Sequence, residues 1–374
     1  MPKRKRNSLG KVKHYRQRSY TRKNLLRRRI LKWALGLAAL FLVGWLVAGP
    51  VVDFGSGLWY SLKNRPAASD SSAPQAGSDP AASGSTSEAT PEPEEPEATP
   101  ADTTSIVEGS WTYVSLSALT SEDQAAATAA DLASQGVSYA VITLKDAQGY
   151  VYYDSQVVLA AQSKAGMLVD AAMAARVFKE AGIVPVAALS AFEDPKTPYI
   201  DREIAVYHTD YPSTVWLNAA AAAGGVPWLD PTDAAAQQYI ADLMAECKAL
   251  GYDQFLLSGV QFPSGYSLEK ALYDAGLATE IDKTAQLAAV ITAWQQQADA
   301  DGSVLWFEYP ADQAALEASD TIGSLAGLGV RNLVLDMDAL SPEDDGTQRT
   351  AALTAASGAD HLVLHTGVNG SFER

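Results

Sequence analysis

Seven short apolar runs, separated by alanine-rich stretches of helical length, constrain this chain more than any other feature. They are residues 111–116 (WTYVSL), 139–144 (YAVITL), 183–189 (IVPVAAL), 254–260 (QFLLSGV), 304–309 (VLWFEY), 332–337 (NLVLDM) and 361–366 (HLVLHT). Runs that are apolar throughout, rather than alternating, suit a parallel sheet covered on both faces. Residues 121–135, 165–181, 233–250 and 282–300 read as the covering helices, and SQGV, EAGI and ALGY supply the glycine that a helix C-terminus favours. The pattern predicts an α/β fold, a (β/α)8 TIM barrel over residues 106–374, with the weak run at 321–328 (TIGSLAGL) as the remaining strand. An open doubly wound sheet is the alternative. No GxGxxG follows a strand and no GxxxxGK[ST] is present, so nucleotide binding has no support.

Charge divides the chain before the barrel begins. Residues 1–32 hold 14 of the 28 Lys and Arg and no acid, which leaves 14 basic against 44 acidic residues in the remainder. Residues 33–52 carry no charge and have the length, about 20 apolar residues, of a transmembrane helix. The basic excess before that run places the N-terminus in the cytoplasm and the rest outside. The expectation is a single-pass membrane protein, because a basic region of about 30 residues is long for a cleaved signal peptide. Contact with anionic lipid, rather than nucleic acid, follows for residues 1–32. Residues 53–105, with PEPEEPEATP, are too poor in large apolar side chains to offset their ordering entropy and read as a disordered linker. Cys247 is the one cysteine, so the outer domain has no internal disulfide, and its spacing from Leu243 and Leu250 puts it on a core-facing helix side.

A barrel places its site where the strands end, so the polar residues that follow each run are the candidates. These include Lys145 and Asp146 after the second run, Glu193 and Asp194 after the third, and His208, Trp216, Trp228 and Asp230 in the long insertion. Ser258 and Gln261 follow the fourth, Glu308 and Tyr309 the fifth, Asp336 and Asp338 the sixth, and His365 ends the last. Acids and aromatics at one mouth suit a sugar, whose ring face stacks on an indole while its hydroxyls meet carboxylates and amides. No HExxH or paired-cysteine spacing supports a metal site, and no cofactor is implied. The acid-rich SPEDDG, with Asp344 and Asp345, reads as solvated charge.

The blocks VITLKDAQGYVYYDSQVVLA (141–160), AGIVPVAALSAFEDP (181–195), WLDP (228–231) and LGYDQFLLSGVQFPS (250–264) resemble, in order and spacing, the DUF4015 family of glycosyl-hydrolase-like barrels. The resemblance implies a carbohydrate substrate and often a cell-surface tether. It also implies a strand-four ending like QFDYVRFP. Here Ser258 stands at the Asp position, Gly259 at the Tyr and Gln261 at the Arg, while Thr143 and Ala188 replace an Asp and an Arg common in the family. Lys145, Asp146, Tyr153, Asp154, Asp194, Trp228, Asp230 and Pro263 keep the family pattern.

Hydrolysis of a glycosidic bond needs two carboxyl groups, which an eroded fourth strand does not supply. The expectation is therefore a membrane-anchored barrel that binds an envelope or extracellular glycan with catalysis weakened or lost. Substrate contacts would come from Lys145, Asp194, Trp228, Asp230, Ser258, Gln261 and Tyr309. The alternatives are a hydrolase with a relocated pair, Glu308 with Asp336, Asp338 or Asp146, and a non-catalytic envelope scaffold.

Overall fold

The computed structural model describes residues 101–374, apart from 344, 345 and 374. The expected cytoplasmic segment, membrane span and most of the linker lie outside these residues, as do Asp344 and Asp345. Among the described residues no helix is long and apolar enough to cross a membrane.

Eight strands close into a barrel: β1 (Ser110–Tyr113), β2 (Val137–Lys145), β3 (Val184–Ser190), β4 (Gln254–Ser258), β5 (Val304–Pro310), β6 (Asn332–Asp336), β7 (His361–Thr366) and β8 (Asn369–Phe372). The first seven run parallel and follow one another round the ring. The eighth departs from the expected (β/α)8 plan. β8 turns back from β7 through Gly367 and Val368 and pairs antiparallel with both β7 and β1. Gly367 adopts φ +64 in that turn, a conformation that favours glycine. Residues 321–328 form instead a short bridge between Ser319 and Gly323 and a turn of 3-10 helix, Leu325–Gly327. Two glycines within eight residues leave that run little to pack as a strand.

The covering helices are α1 (Glu122–Ser134), α2 (Ala171–Glu180), α3 (Ala234–Ala249), α4 (Lys283–Asp301) and α5 (Thr347–Ala356). Ser121, Asp170, Asp233 and Asp282 cap the first four, each side-chain oxygen accepting the backbone N–H three residues on. Such a cap stabilises a helix by about 1 kcal/mol. The Asp170 cap also explains why α2 starts later than the sequence pattern suggests: residues 165–170 belong to a loop held by Ala165 N to Val151 O, 2.8 Å.

Side chains alternate across each strand, so one set fills the barrel and the other packs under the helices. Trp111, Tyr139, Val186, Leu256, Trp306, Val334 and Val363 fill the interior. Trp111 stacks on Tyr139 at 4.9 Å and meets Trp306 edge-on at 4.8 Å. The Trp306 indole donates to Gln254 Oε1 at 2.9 Å, so this interior polar pair is satisfied. Insertions after β3 and β4 build a small antiparallel sheet from Tyr207–His208, Tyr211–Val215, Ala271–Tyr273 and Gly276–Leu277.

Candidate active site at the barrel mouth

Beyond the interior layer, the same alternation puts the last inward positions of β1 and of β3 to β7 at the mouth. These are Tyr113, Ser190, Ser258, Glu308, Asp336 and His365. The charged members sit on β5, β6 and β7, beside Tyr113 on β1, while β4 ends in the half-buried Ser258 and β3 in Ser190, whose buried hydroxyl donates to the Glu193 carbonyl at 2.9 Å.

Glu308 is the hub of the charged side. Its Oε1 accepts the Tyr113 hydroxyl at 3.0 Å and lies 2.8 Å from His365 Nδ1. His365 Nε2 is 3.0 Å from the Gly367 carbonyl, and its ring stacks on Tyr113 at 4.5 Å. Both ring nitrogens therefore face oxygens that only accept, which an imidazole satisfies at once only when doubly protonated. Burial, the largest single effect, opposes that charge, but the hydrogen bond and charge of Glu308, with the Gly367 carbonyl and the Asp336 charge, together outweigh it and raise the His365 pKa. Burial and the charge of Glu308 keep the Tyr113 phenol protonated.

Asp336 stands on the neighbouring strand, paired in register with His365. Burial, with the Glu308 charge added, raises its pKa against the lowering effect of the Asp338 N–H, which Oδ1 accepts at 3.0 Å. Asp338 is exposed and accepts the Gly367 N–H at 2.6 Å, which ties it to the β7–β8 turn. The structure thus brings together Glu308, Asp336 and Asp338 of the expected set. Asp146 has different company: it accepts Gln148 N, Tyr150 N and the Tyr152 hydroxyl, all within its own loop.

Most of the expected substrate contacts are buried instead. Lys145 and Asp194 form an ion pair at 3.0 Å with both side chains wholly inaccessible. Trp228 is 5% exposed within the core between sheet and helices. Tyr309 points away from the barrel axis and donates to the Val260 carbonyl at 3.2 Å. Asp230 accepts Thr232 N, Thr232 Oγ1 and Asp274 N, and burial pushes its pKa up to about 6. Ser258 and Gln261 remain half-buried at the end of β4.

Glu193, just past β3, is a further rim carboxylate. Burial raises its pKa, and among the described residues its carboxylate makes no hydrogen bond. It packs against the end of β4, where a Cβ on Gly259 (φ +64) would come within 3.1 Å of both Glu193 Cβ and Ser190 Oγ. Tyr113 was absent from the expected set, although it lies two residues after Trp111 and so shares its inward face.

Residues 112–305 match DUF4015, described as "Putative glycosyl hydrolase domain". The chain belongs to this family. The match runs from β1 into β5 and ends three residues before Glu308, so Glu308, Asp336 and His365 all lie beyond it. Among solved structures, the DUF4015 chain is similar to a hypothetical protein from Ruminiclostridium thermocellum, with 19% identity, TM-score 0.44, and 52% and 96% of the two chains covered. It is similar to a chitobiase from Flavobacterium johnsoniae, with 14% identity, TM-score 0.45, and coverage of 70% and 38%. It is similar also to a β-N-acetylhexosaminidase from Streptomyces coelicolor, with 12% identity, TM-score 0.41, and coverage of 68% and 47%. The chain therefore spans less than half the length of either enzyme. No curated protein matches it.

Proposed function

We propose that this DUF4015 barrel binds a glycan of the cell envelope or extracellular matrix at its mouth, with hydrolysis weakened or lost, and that residues 33–52 tether it to the outer face of the cell membrane. The observation that carries the reading is the division of the mouth. Glu308, Asp336, Tyr113 and His365 offer charged and hydroxyl partners for sugar hydroxyls, while β3 and β4 end in Ser190 and Ser258. Resemblance to the family puts a carboxylate at Ser258. A hydroxyl there does not stabilise an oxocarbenium-like centre as an ionised carboxylate does. Glu308, bound to an imidazolium, suits a fixed hydrogen-bond acceptor better than a nucleophile.

One observation favours hydrolysis as the second reading. Asp336 has a raised pKa beside Glu308, and two carboxyls whose environments push them apart are the pattern of an acid with its partner. The two readings separate in one experiment. Oligosaccharide binding is measured by calorimetry, and reducing-end release by a colorimetric assay, for the wild type, Glu308→Gln and Asp336→Asn. Binding without release, weakened about tenfold in Glu308→Gln, is expected. Release abolished in both variants supports hydrolysis, and absence of both activities refutes a glycan role. The tether is tested on intact cells, where external protease should remove the barrel and leave the basic N-terminal segment with the membrane.

A further inference from the structure

The β3–β4 side of the mouth holds polar side chains that the fold leaves without partners. The Glu193 carboxylate, the Ser258 hydroxyl and the Gln261 amide belong to half-buried residues, and among the described residues none of the three makes a hydrogen bond. None is among the fully buried polar atoms that lack a partner, so each reaches solvent. Glu193 is the charged member. Burial raises its pKa, and the charge of Lys145 offsets only part of that effect. Lys145 itself is committed to Asp194 and to the Ser190 carbonyl. A carboxylate drawn partly out of water with nothing bonded to it opposes folding, and such a group calls for a reason outside the fold.

Backbone contacts fix where this carboxylate stands. Ala191 N to Ser258 O at 2.8 Å and Phe192 N to Gly259 O at 3.1 Å continue the pairing of β3 with β4 past the strand ends. The Phe192 ring leaves the axis and stacks on Trp294 of α4 at 5.7 Å. The stem of Glu193 does the reverse. Its Cβ and the inward Ser190 Oγ both lie 3.1 Å from the point a Cβ on Gly259 would occupy, so Glu193 crosses the end of β4 on the side that faces the axis. The register Leu257 to Phe307 puts Ser258 beside Glu308 on β5, and neighbouring strands are about 4.8 Å apart. Glu193 and Glu308 thus rise from adjacent strand ends.

We propose that Glu193 is the glycan contact on the β3–β4 side of the mouth, accepting hydrogen bonds from the hydroxyls of a neutral sugar residue that Glu308 meets from β5, with Ser258 and Gln261 beside it. The inference rests on the mouth being the glycan site. A sugar hydroxyl supplies the donor that the fold withholds, and a bond to an ionised acceptor is about twice as strong as a neutral one. A uronate would instead set a further negative charge against Glu193 and Glu308, which like-charge repulsion opposes.

Calorimetry on the full chain with cellohexaose, chitohexaose and the galacturonate hexamer, at matched ionic strength, tests it. Wild type should bind a neutral hexamer in preference to the uronate. Glu193→Gln should weaken the neutral hexamer at least about tenfold and narrow its preference over the uronate. Its thermal midpoint should hold or rise, because the change removes a charge that nothing in the fold pairs. Unchanged affinity in Glu193→Gln beside a loss in Glu308→Gln overturns the assignment and leaves the glycan reading standing. A lowered midpoint, or a uronate bound as tightly as the neutral hexamers, also overturns it. If wild type binds none of the three, the glycan reading falls and the assignment with it.

Discussion

Replacing Lys145 by Met should be among the most damaging single changes to this barrel, although the residue sits where a ligand contact was expected. Its Nζ lies 3.0 Å from Asp194 Oδ2 and donates to the Ser190 carbonyl at 2.7 Å, with neither charged side chain accessible. Asp194 further accepts Lys196 N at 2.9 Å, Thr197 N at 2.9 Å and Thr197 Oγ1 at 2.7 Å. Methionine approximates the lysine stem, so lost packing is a small part of the effect. The main cost is a carboxylate left buried without its counter-ion, about 3–5 kcal/mol. At about 2–4 °C per kcal/mol for a domain of this size, the thermal midpoint should fall by at least about 6 °C. The double variant Lys145→Met/Asp194→Asn removes both charges and should lose at least about 2 kcal/mol less than the sum of the single variants. Urea unfolding followed by tryptophan fluorescence measures all three. A loss under about 1 kcal/mol in Lys145→Met, or strict additivity, would refute the view that the buried pair locks the β3 exit loop. The acid limb gives a second check. Burial acts to raise the Asp194 pKa, but the Lys145 charge and the Thr197 bonds outweigh it and leave it lowered. A depressed carboxylate contributes stability above its unfolded value, about 3.9, and loses it as pH falls through the folded one. Wild type should therefore lose stability below about pH 4 more steeply than the double variant.

His365 should behave with the opposite sign: its raised pKa gives the Glu308 contact a stabilising contribution that is full below about pH 6.5 and lost as pH rises through the folded value. Removal of the ring in His365→Ala should flatten that part of the pH–stability curve, and an unaltered curve would mean the imidazole is uncharged. Burial pushes the Cys247 thiol up to about 12, so a thiol reagent at pH 8 should leave the folded protein unlabelled and label one site after denaturation. Rapid labelling of the native chain would contradict the core placement.

Strands β1 to β7 were legible because each is apolar over several residues, and full burial of a parallel strand writes itself into composition. β8 was not. Its four residues, NGSF, hold one large apolar side chain, and its pairing depends on Gly370, where a Cβ would approach Val363 Cγ1 to 3.0 Å and Trp111 Cβ to 3.1 Å. The absence of a side chain is a weak signal in sequence and a strong one in packing. Glu308 and Asp336 were legible as acids ending apolar strands. Tyr309 was misplaced although period two decides it, since Trp306 and Glu308 face inward and the residue between Glu308 and Pro310 must face out. Lys145 shows a different limit. A lysine at a strand end looks the same in sequence whether it faces solvent or is covered, and what covers it is Asp194, 49 residues later.

Distance in sequence also separates the two halves of the mouth. The segment that carries the family likeness supplies β1 to β4 and the buried Lys145–Asp194 pair, which organises the loop leaving β3 without touching the axis. The charged groups come from β5, β6 and β7, beyond that segment, and one hydroxyl, Tyr113, reaches across from β1 to join them. Closure makes this possible. Because β8 runs antiparallel between β7 and β1, its turn residue Gly367 is delivered to the mouth, where its carbonyl holds His365 Nε2 and its N–H holds Asp338. A parallel eighth strand would enter from the opposite end and bring no such turn. The departure from the (β/α)8 plan and the placement of the imidazole beside Glu308 are thus one structural event, and lengthening the β7–β8 turn should disturb His365 before it disturbs the barrel.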